Sequence, residues 1–325
     1  MHRLNCFLKL IAITILTYLS HLYLVFKLDF YVIGHLTLDN IVRGVSFKKC
    51  MGGTAYYSSM VAKILGWNVG LISKVGFDFP REYLKTLESF GINMSRVKFE
   101  DIPSTSFLLK YDGDRVIRIM GRCSDIHIND VLDVINENII VHVGPVANEV
   151  SMDIVKYVYE NSKLCSIDLQ GFMRFFDSQG FIKLVKPIFI DELFEYTDVL
   201  HCDFLEAFVG TGILDSIKSA KYLSNKYGLI VLLTMGREGM YLAYDNLIYH
   251  IPSIVNSVIE ETGAGDICTT AFLYMYDLSG DPLESAIFSS SLTSIYIESG
   301  NILEIGDKVK INAKMNLLKP LIRVV

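Results

Sequence analysis

Proline is scarce, at 7 in 325 residues, tryptophan occurs once, and only 20% of the chain is charged. A disordered chain shows the reverse, with much charge and little apolar mass. With 51% hydrophobic residues, that class is excluded. The six cysteines, Cys6, Cys50, Cys123, Cys165, Cys202 and Cys268, form no C-x-x-C pair. A zinc site needs closely spaced ligands and a secreted disulfide scaffold needs a short, cysteine-dense chain. Reduced thiols in a cytoplasmic protein are therefore expected. The seven histidines make no H-E-x-x-H, and His35, His127, His142 and His250 read as core or strand-end residues. No Lys/Arg block is interleaved with aromatics, and the net charge is −6, so no nucleic-acid partner is expected.

What the chain does have, first, is an apolar leader. LIAITILTYLSHLYLVF lies between Lys9 and Lys27, after His2, Arg3 and Lys9. That length is at the lower edge of a bilayer span, and the basic start resembles a signal sequence or anchor. No A-x-A cleavage site follows. Two readings stand: a membrane anchor, or a start codon placed too far upstream. Residues 1–28 are set apart as this leader, and residues 29–325 as one domain. Membrane contact is expected only if the leader is real.

From Phe30 onward, strand-like and helix-like segments alternate. FYVIGHLTLDNIV reads as a strand running into a polar turn, Ala55 to Leu65 as a helix ended by Gly66, and VGLISKVG as a buried strand. Glu82 to Phe90 is helical and stops at Gly91. IIVHVGPV, KLCSIDLQG, DVLHCDF and LIVLLTMG are short apolar runs ending in Gly, Asp or Pro, and helices such as Asp215 to Lys226 separate several of them. Such runs predict an α/β fold whose central, mostly parallel sheet is covered by helices on both faces. Thr105 to Arg122 breaks the alternation as two strands around Asp112-Gly113-Asp114, a hairpin signal. It predicts a small β-sheet beside the main one, with strands from about 37–50 and 103–122, placed as a lid.

The chemistry concentrates in EETGAGDICTTAFLYMYDLSG, Glu260 to Gly280. Thr262-Gly263-Ala264-Gly265 is a turn of small residues, followed by Ile267, Ala271, Phe272 and Met275 at helical spacing. Small residues ahead of a helix let backbone N–H groups converge on an anion, and the helix dipole adds partial positive charge there. Asp266, in the first helical turn, is either a cap of that helix or a base for an attacking hydroxyl.

The order of motifs around this turn resembles the ribokinase-like (PfkB) carbohydrate kinases, from Phe30 to about Gly300. GAGD opening an apolar helix looks like the second signature of that family. The resemblance implies Asp266 as catalytic base and Gly263, Ala264 and Gly265 as the anion hole. VIGHLTLD is similar to the opening strand whose terminal Asp, here Asp39, holds substrate hydroxyls. Gly52-Gly53 with Gly66 thirteen residues on resembles the first signature, and Lys74 to Asp78 (KVGFD) matches the strand and turn that follow. Thr234-Met235-Gly236, with Gly239, resembles the T-x-G-x-x-G segment against the nucleotide phosphates. Asp203-x-x-Glu206 stands where the family has an N-x-x-E that orders Mg²⁺ and its waters. The chain departs from the pattern at Glu260-Glu261, where Asp-Thr is usual, and at Tyr57, where Asn is usual.

Asp168-Leu169-Gln170-Gly171, with Arg174 beyond, follows a strand on the ligand side. Asp168 and Gln170 are candidates for sugar or polyol hydroxyls, and Arg174 for a phosphate; a solvated strand-ending turn is the plainer alternative. D-L-Q-G with its Arg is similar to a branch of the family holding inositol and nucleoside kinases. Tyr56 and Tyr57 are either stacking or packing residues. The resemblance thus implies a kinase that uses ATP and Mg²⁺ on a sugar, polyol or nucleoside; the cysteines point to the cytoplasm, and either a monomer or a homodimer is expected. A non-catalytic relative acting as a small-metabolite sensor is the alternative.

Overall fold

The computed structural model describes residues 28–112 and 114–325. Residues 1–27, nearly all of the leader, lie outside them. Among the described residues, no helix is long and apolar enough to cross a membrane.

The strands are β1 (Phe30–Ile33), β2 (Thr37–Arg43), β3 (Ser46–Gly52), β4 (Val69–Gly76), β5 (Asn93–Glu100), β6 (Ser106–Asp112), β7 (Asp114–Gly121), β8 (Ile140–Val143), β9 (Leu164–Asp168), β10 (Arg174–Phe176), β11 (Ile182–Leu184), β12 (Val199–Asp203), β13 (Ile230–Thr234), β14 (Met240–Tyr244), β15 (Leu247–Ile251) and β16 (Arg323–Val324). Ten of them form one sheet in the order β16-β15-β14-β13-β12-β9-β8-β1-β4-β5. From β13 to β5 every neighbouring pair is parallel. The edge β13-β14-β15-β16 is antiparallel. All eight residues of β4 are buried, the continuous burial of a strand covered on both faces.

Alternate residues of β1 feed two cores. Phe30 and Val32 pack beneath the helices Thr54–Leu65, Ala264–Ser279 and Pro282–Ser299. Tyr31 and Ile33 pack on the other face, with the helices Met152–Asn161 and Ser216–Tyr227. A second sheet, β3-β2-β6-β7, stands apart and contains the hairpin of β6 and β7. Its Ile41, Phe107 and Leu109 rest on Val146 and Ala147, which follow β8 in the main sheet. A third, two-stranded sheet joins β10 and β11.

Phe30 to Val42 reads as a strand running into a polar turn, with a strand of the small sheet from about residue 37; the chain breaks after Ile33 and resumes at Thr37 as β2 of the second sheet. The backbone donors in the break are taken by side chains: His35 N–H by Glu149 Oε1 (2.9 Å) and Leu36 N–H by Ser73 Oγ (2.8 Å). At Gly34 a Cβ would collide with the carbonyl of Gly144. These contacts turn the chain off the main sheet and carry Asp39 over the C-terminal ends of its strands.

Candidate active site

The C-terminal ends of parallel strands, with helices starting above them, collect most of the residues singled out from the sequence. The turn at Thr262 to Gly265 is built by contact as well as by conformation. Gly263 adopts φ 83°, and a Cβ there would lie 2.5 Å from Cγ of the Tyr57 ring. Only glycine meets both demands. The helix Ala264–Ser279 starts at once, with Ile267 N–H donating to the Gly263 carbonyl (2.9 Å). A Cβ on Gly265 would lie 2.7 Å from Cε1 of His201. The first-turn N–H groups of such a helix have no carbonyl within it to bond, which leaves donors that an anion could take up.

Asp266 sits in this first turn and is 7% exposed. Burial pushes its carboxyl up, and the Asp168 charge adds to the effect. The Thr54 hydroxyl, His201 and Arg174 pull it partly back, leaving it at about 7. Such a carboxyl is poised to exchange a proton near neutrality.

Around Asp266 lies a continuous polar chain. Thr54 opens the helix Thr54–Leu65, and its hydroxyl accepts from Gln170 Nε2 (3.3 Å). Gln170 Oε1 in turn accepts from Arg174 Nη2 (2.6 Å). Arg174 also donates to the Val146 carbonyl (2.9 Å), and its guanidinium lies 5.6 Å over the Phe107 ring of the second sheet. Asp39 is 5% exposed; its Oδ1 accepts from Thr37 Oγ1 (2.8 Å). A Cβ on Gly52 would strike Asp39 Oδ2, and one on Gly53 would lie 2.6 Å from the His35 carbonyl. The double glycine therefore lets β3 and the following helix close against Asp39.

Asp168 is turned inward, 1% exposed, rather than into open space. Its Oδ2 meets His201 Nδ1 at 2.9 Å and its Oδ1 accepts from Gln170 N–H (3.0 Å). Burial opposes its charge, but His201 and the Gln170 hydrogen bond outweigh burial and hold it below the usual carboxylate range. For His201, burial alone would lower the pKa; the Asp168 carboxylate overrides this and raises it to about 9. His201 Nε2 lies 3.4 Å from Thr234 Oγ1, at the end of β13. One imidazole thus joins Asp168, Thr234 and the underside of the glycine turn.

Asp203 and Glu206 form a reciprocal cap: Glu206 N–H donates to Asp203 Oδ1 (2.8 Å) and Asp203 N–H to Glu206 Oε2 (2.9 Å). Burial, then the charges of Asp203 and Asp168, raise Glu206 to about 8. Asp203 stays exposed, paired in register with Thr234. Gly236 and Gly239 follow β13, both at positive φ (57° and 97°). Gly239 packs against β15: a Cβ there would meet the Ile251 carbonyl and Ser253 N. A Cβ on Gly236 would meet nothing within 4 Å.

The two departures from the resemblance have structural explanations. Glu260 Oε1 accepts from Thr262 N–H (3.0 Å), from Thr262 Oγ1 (2.7 Å) and from Arg43 Nη2 on β2 (2.8 Å). Burial works against its charge, yet these bonds hold its pKa below the usual range. Glu260 is therefore a clasp on the turn. Tyr57 is 8% exposed, with its ring over Gly263 and edge-on to Tyr56 and Tyr296, so it is a packing residue.

Sequence reasoning missed His201, Thr54 and Arg43. Alternation along β12 carries a signal for His201, since residues 201 and 203 point to the same face. Arg43 carries none, because its partner is 217 residues away.

A family model described as pfkB family carbohydrate kinase matches residues 23–304. The chain is 24% identical over 267 residues to a cytidine kinase of Thermococcus kodakarensis, covering 80% of this chain and 92% of the other. It is 25% identical over 284 residues to a nucleoside kinase of Methanocaldococcus jannaschii, covering 82% and 89%. Among solved structures, a pyrophosphate-dependent myo-inositol-1 kinase converted into a myo-inositol-3 kinase by mutation has a similar fold, with a TM-score of 0.77 at 21% identity, covering 87% of this chain and 98% of that one.

Proposed function

The chain belongs to the pfkB family of carbohydrate kinases, and from that premise we propose that it transfers the γ-phosphate of ATP to a hydroxyl of a sugar, a polyol such as inositol, or a nucleoside. The observation that carries this reading is the buried Asp266 carboxyl, near pH 7, in the first turn of a helix opened by two contact-enforced glycines. In this reading Asp266 takes the proton of the acceptor hydroxyl. The oxygen so freed bonds to phosphorus as the bond to the leaving diphosphate breaks. The Gly263, Ala264 and Gly265 backbone faces the charge that moves onto the phosphoryl oxygens.

Asp39, the Gly52-Gly53 backbone, Gln170 and Arg174 line the acceptor side, with Asp168 beneath them holding His201. Thr234, Gly236 and Gly239 line the donor side. The residues present fit a magnesium ion in one respect: Mg²⁺ prefers oxygen ligands and needs only one or two carboxylates beside phosphates and water. Asp203, exposed beside Thr234, would hold it, and Glu206 would orient Asp203 through their mutual cap. The ion would neutralise charge on the donor phosphates.

Residues 29–325 act as one kinase domain, and the sheet of β2, β3, β6 and β7 acts as its lid. The five described cysteines, all free, support a reducing, cytoplasmic setting. The protein works as a monomer or a homodimer.

The test is a panel of pentoses, hexoses, inositols and nucleosides, each incubated with Mg-ATP and read as ADP release. Pyrophosphate is run in parallel as donor, with orthophosphate release as the readout. Acceptor-dependent ADP release supports the proposal. Nucleotide binding with no turnover on any acceptor would sink it.

A further inference from the structure

Among the described residues, seven buried side-chain atoms lack a hydrogen-bond partner, and four of them lie behind the glycine turn: Asp266 Oδ1, Ser58 Oγ, Thr270 Oγ1 and His142 Nε2. Their levels follow from the fold. Thr54 sits directly on Gly144, where a Cβ would collide with the Thr54 methyl. Ser58 is one turn further along the same helix face, roughly 6 Å deeper. Asp266 lies beside Thr54, and Thr270 is one turn below Asp266 on its own helix. His142 precedes Gly144 by two residues on β8, so it faces the same helices from about 7 Å deeper. Ser58, Thr270 and His142 therefore share one layer between the two helices and the sheet, with Asp266 above it. Ser58, Thr270 and His142 are each 0% exposed.

We propose that this layer binds one or two internal water molecules that bridge Ser58, Thr270 and His142 to the inner oxygen of Asp266, holding the carboxylate with its other oxygen toward the acceptor hydroxyl. The proposal rests on the reading of Asp266 as base. Buried water typically makes about three hydrogen bonds to polar groups that otherwise lack partners, and the two helices and β8 bring four such atoms to adjoining levels. Two are hydroxyls, which donate or accept. The third is a ring nitrogen whose orientation is fixed by the Nδ1 contact to Ser166 Oγ (3.1 Å). Burial lowers the pKa of His142 to about 4, so the ring is neutral and keeps one accepting nitrogen.

Ser58, Thr270 and His142 are positioning residues, since they reach the substrate only through Asp266. The charged groups that face Asp266 from the neighbouring elements are Asp168, His201 and Arg174. A hydrogen bond from water to the ionised carboxylate favours that form against Asp168 and burial. Removing it raises the base out of its working range and frees its orientation.

Two measurements test this on the full chain. A crystal structure resolving internal waters is expected to show one within about 3.2 Å of at least three of the four atoms. The near-isosteric double variant Ser58→Ala/Thr270→Val is expected to lose about tenfold in kcat, with both KM values kept. The acid limb of its kcat profile should move up by about one pH unit. Thr270→Ser, which restores the hydroxyl, should return the limb toward its original place. A dry layer closed by direct side-chain bonds overturns the proposal. So does a double variant with wild-type kcat and acid limb while Asp266→Asn is inactive. An Asp266→Asn protein as active as wild type would instead remove the reading of Asp266 as base, and this inference with it.

Discussion

At the scale of single residues, function turns on groups held away from their ordinary chemistry. As the proposed base, Asp266 must be ionised to accept a proton, and burial followed by the Asp168 charge holds it at about 7. Activity should therefore fall as pH drops below about 7, with log kcat declining by roughly one per pH unit; a flat profile from pH 5 to 8 would contradict the assignment. The same shift has a stability sign. A carboxyl raised from 3.8 to about 7 contributes stability fully present below 3.8 and lost as pH rises through 7. Asp266→Asn should then melt above the wild type at pH 8, with the gap narrowing at pH 5, as calorimetry would show. Gly265 is constrained from outside its own turn. The His201 ring stands 2.7 Å from any Cβ there and is itself buried, so Gly265→Ala should destabilise by about 1–3 kcal/mol and lower turnover. A melt and a turnover rate equal to wild type would show that the ring yields freely.

Among the elements, the short helix Phe204–Thr211 separates two roles of one residue. Asp203 caps it and, in the proposed function, also holds the metal on the donor side. Asn caps as well as Asp but binds Mg²⁺ more weakly, whereas Ala does neither. Asp203→Asn should keep the melting temperature and raise the Mg²⁺ needed for half-maximal activity. Asp203→Ala should do that and also cost about 1 kcal/mol of stability. Equal Mg²⁺ dependence in wild type and Asp203→Asn would remove Asp203 from the metal.

The elements also divide by how far they are legible in the sequence. The helix Thr54–Leu65 ends at Gly66, and the turn at Gly263 announces the next helix, because caps and left-handed glycines act within a few residues. β4 is legible because all eight residues are buried and apolar runs mark such strands. The groups that hold the break between β1 and β2 are not legible, since its N–H groups are taken by Ser73 and Glu149, 37 and 114 residues away. The Asp168–His201 pair is hidden for the same reason, with its members 33 residues apart on different strands. The inward turn of Asp168 follows from that pairing and from burial, which no local pattern expresses.

Over the whole molecule, the parallel strands bring distant segments to one edge, and the second sheet closes over that edge. Ile41, Phe107 and Leu109 rest on Val146 and Ala147, Arg174 reaches Phe107, and Arg43 reaches the Glu260 clasp. The second sheet and the glycine turn are thereby joined through Glu260. Glu260→Gln should weaken this clasp, raising the donor KM severalfold and leaving kcat less affected, which steady-state kinetics would separate. The most direct test of the account is Asp266→Asn, followed by ATP calorimetry and acceptor-dependent ADP release. Nucleotide affinity close to wild type with turnover reduced on the order of 10²–10⁴-fold is the predicted result; turnover near the wild-type rate would contradict the assignment of Asp266 as the base.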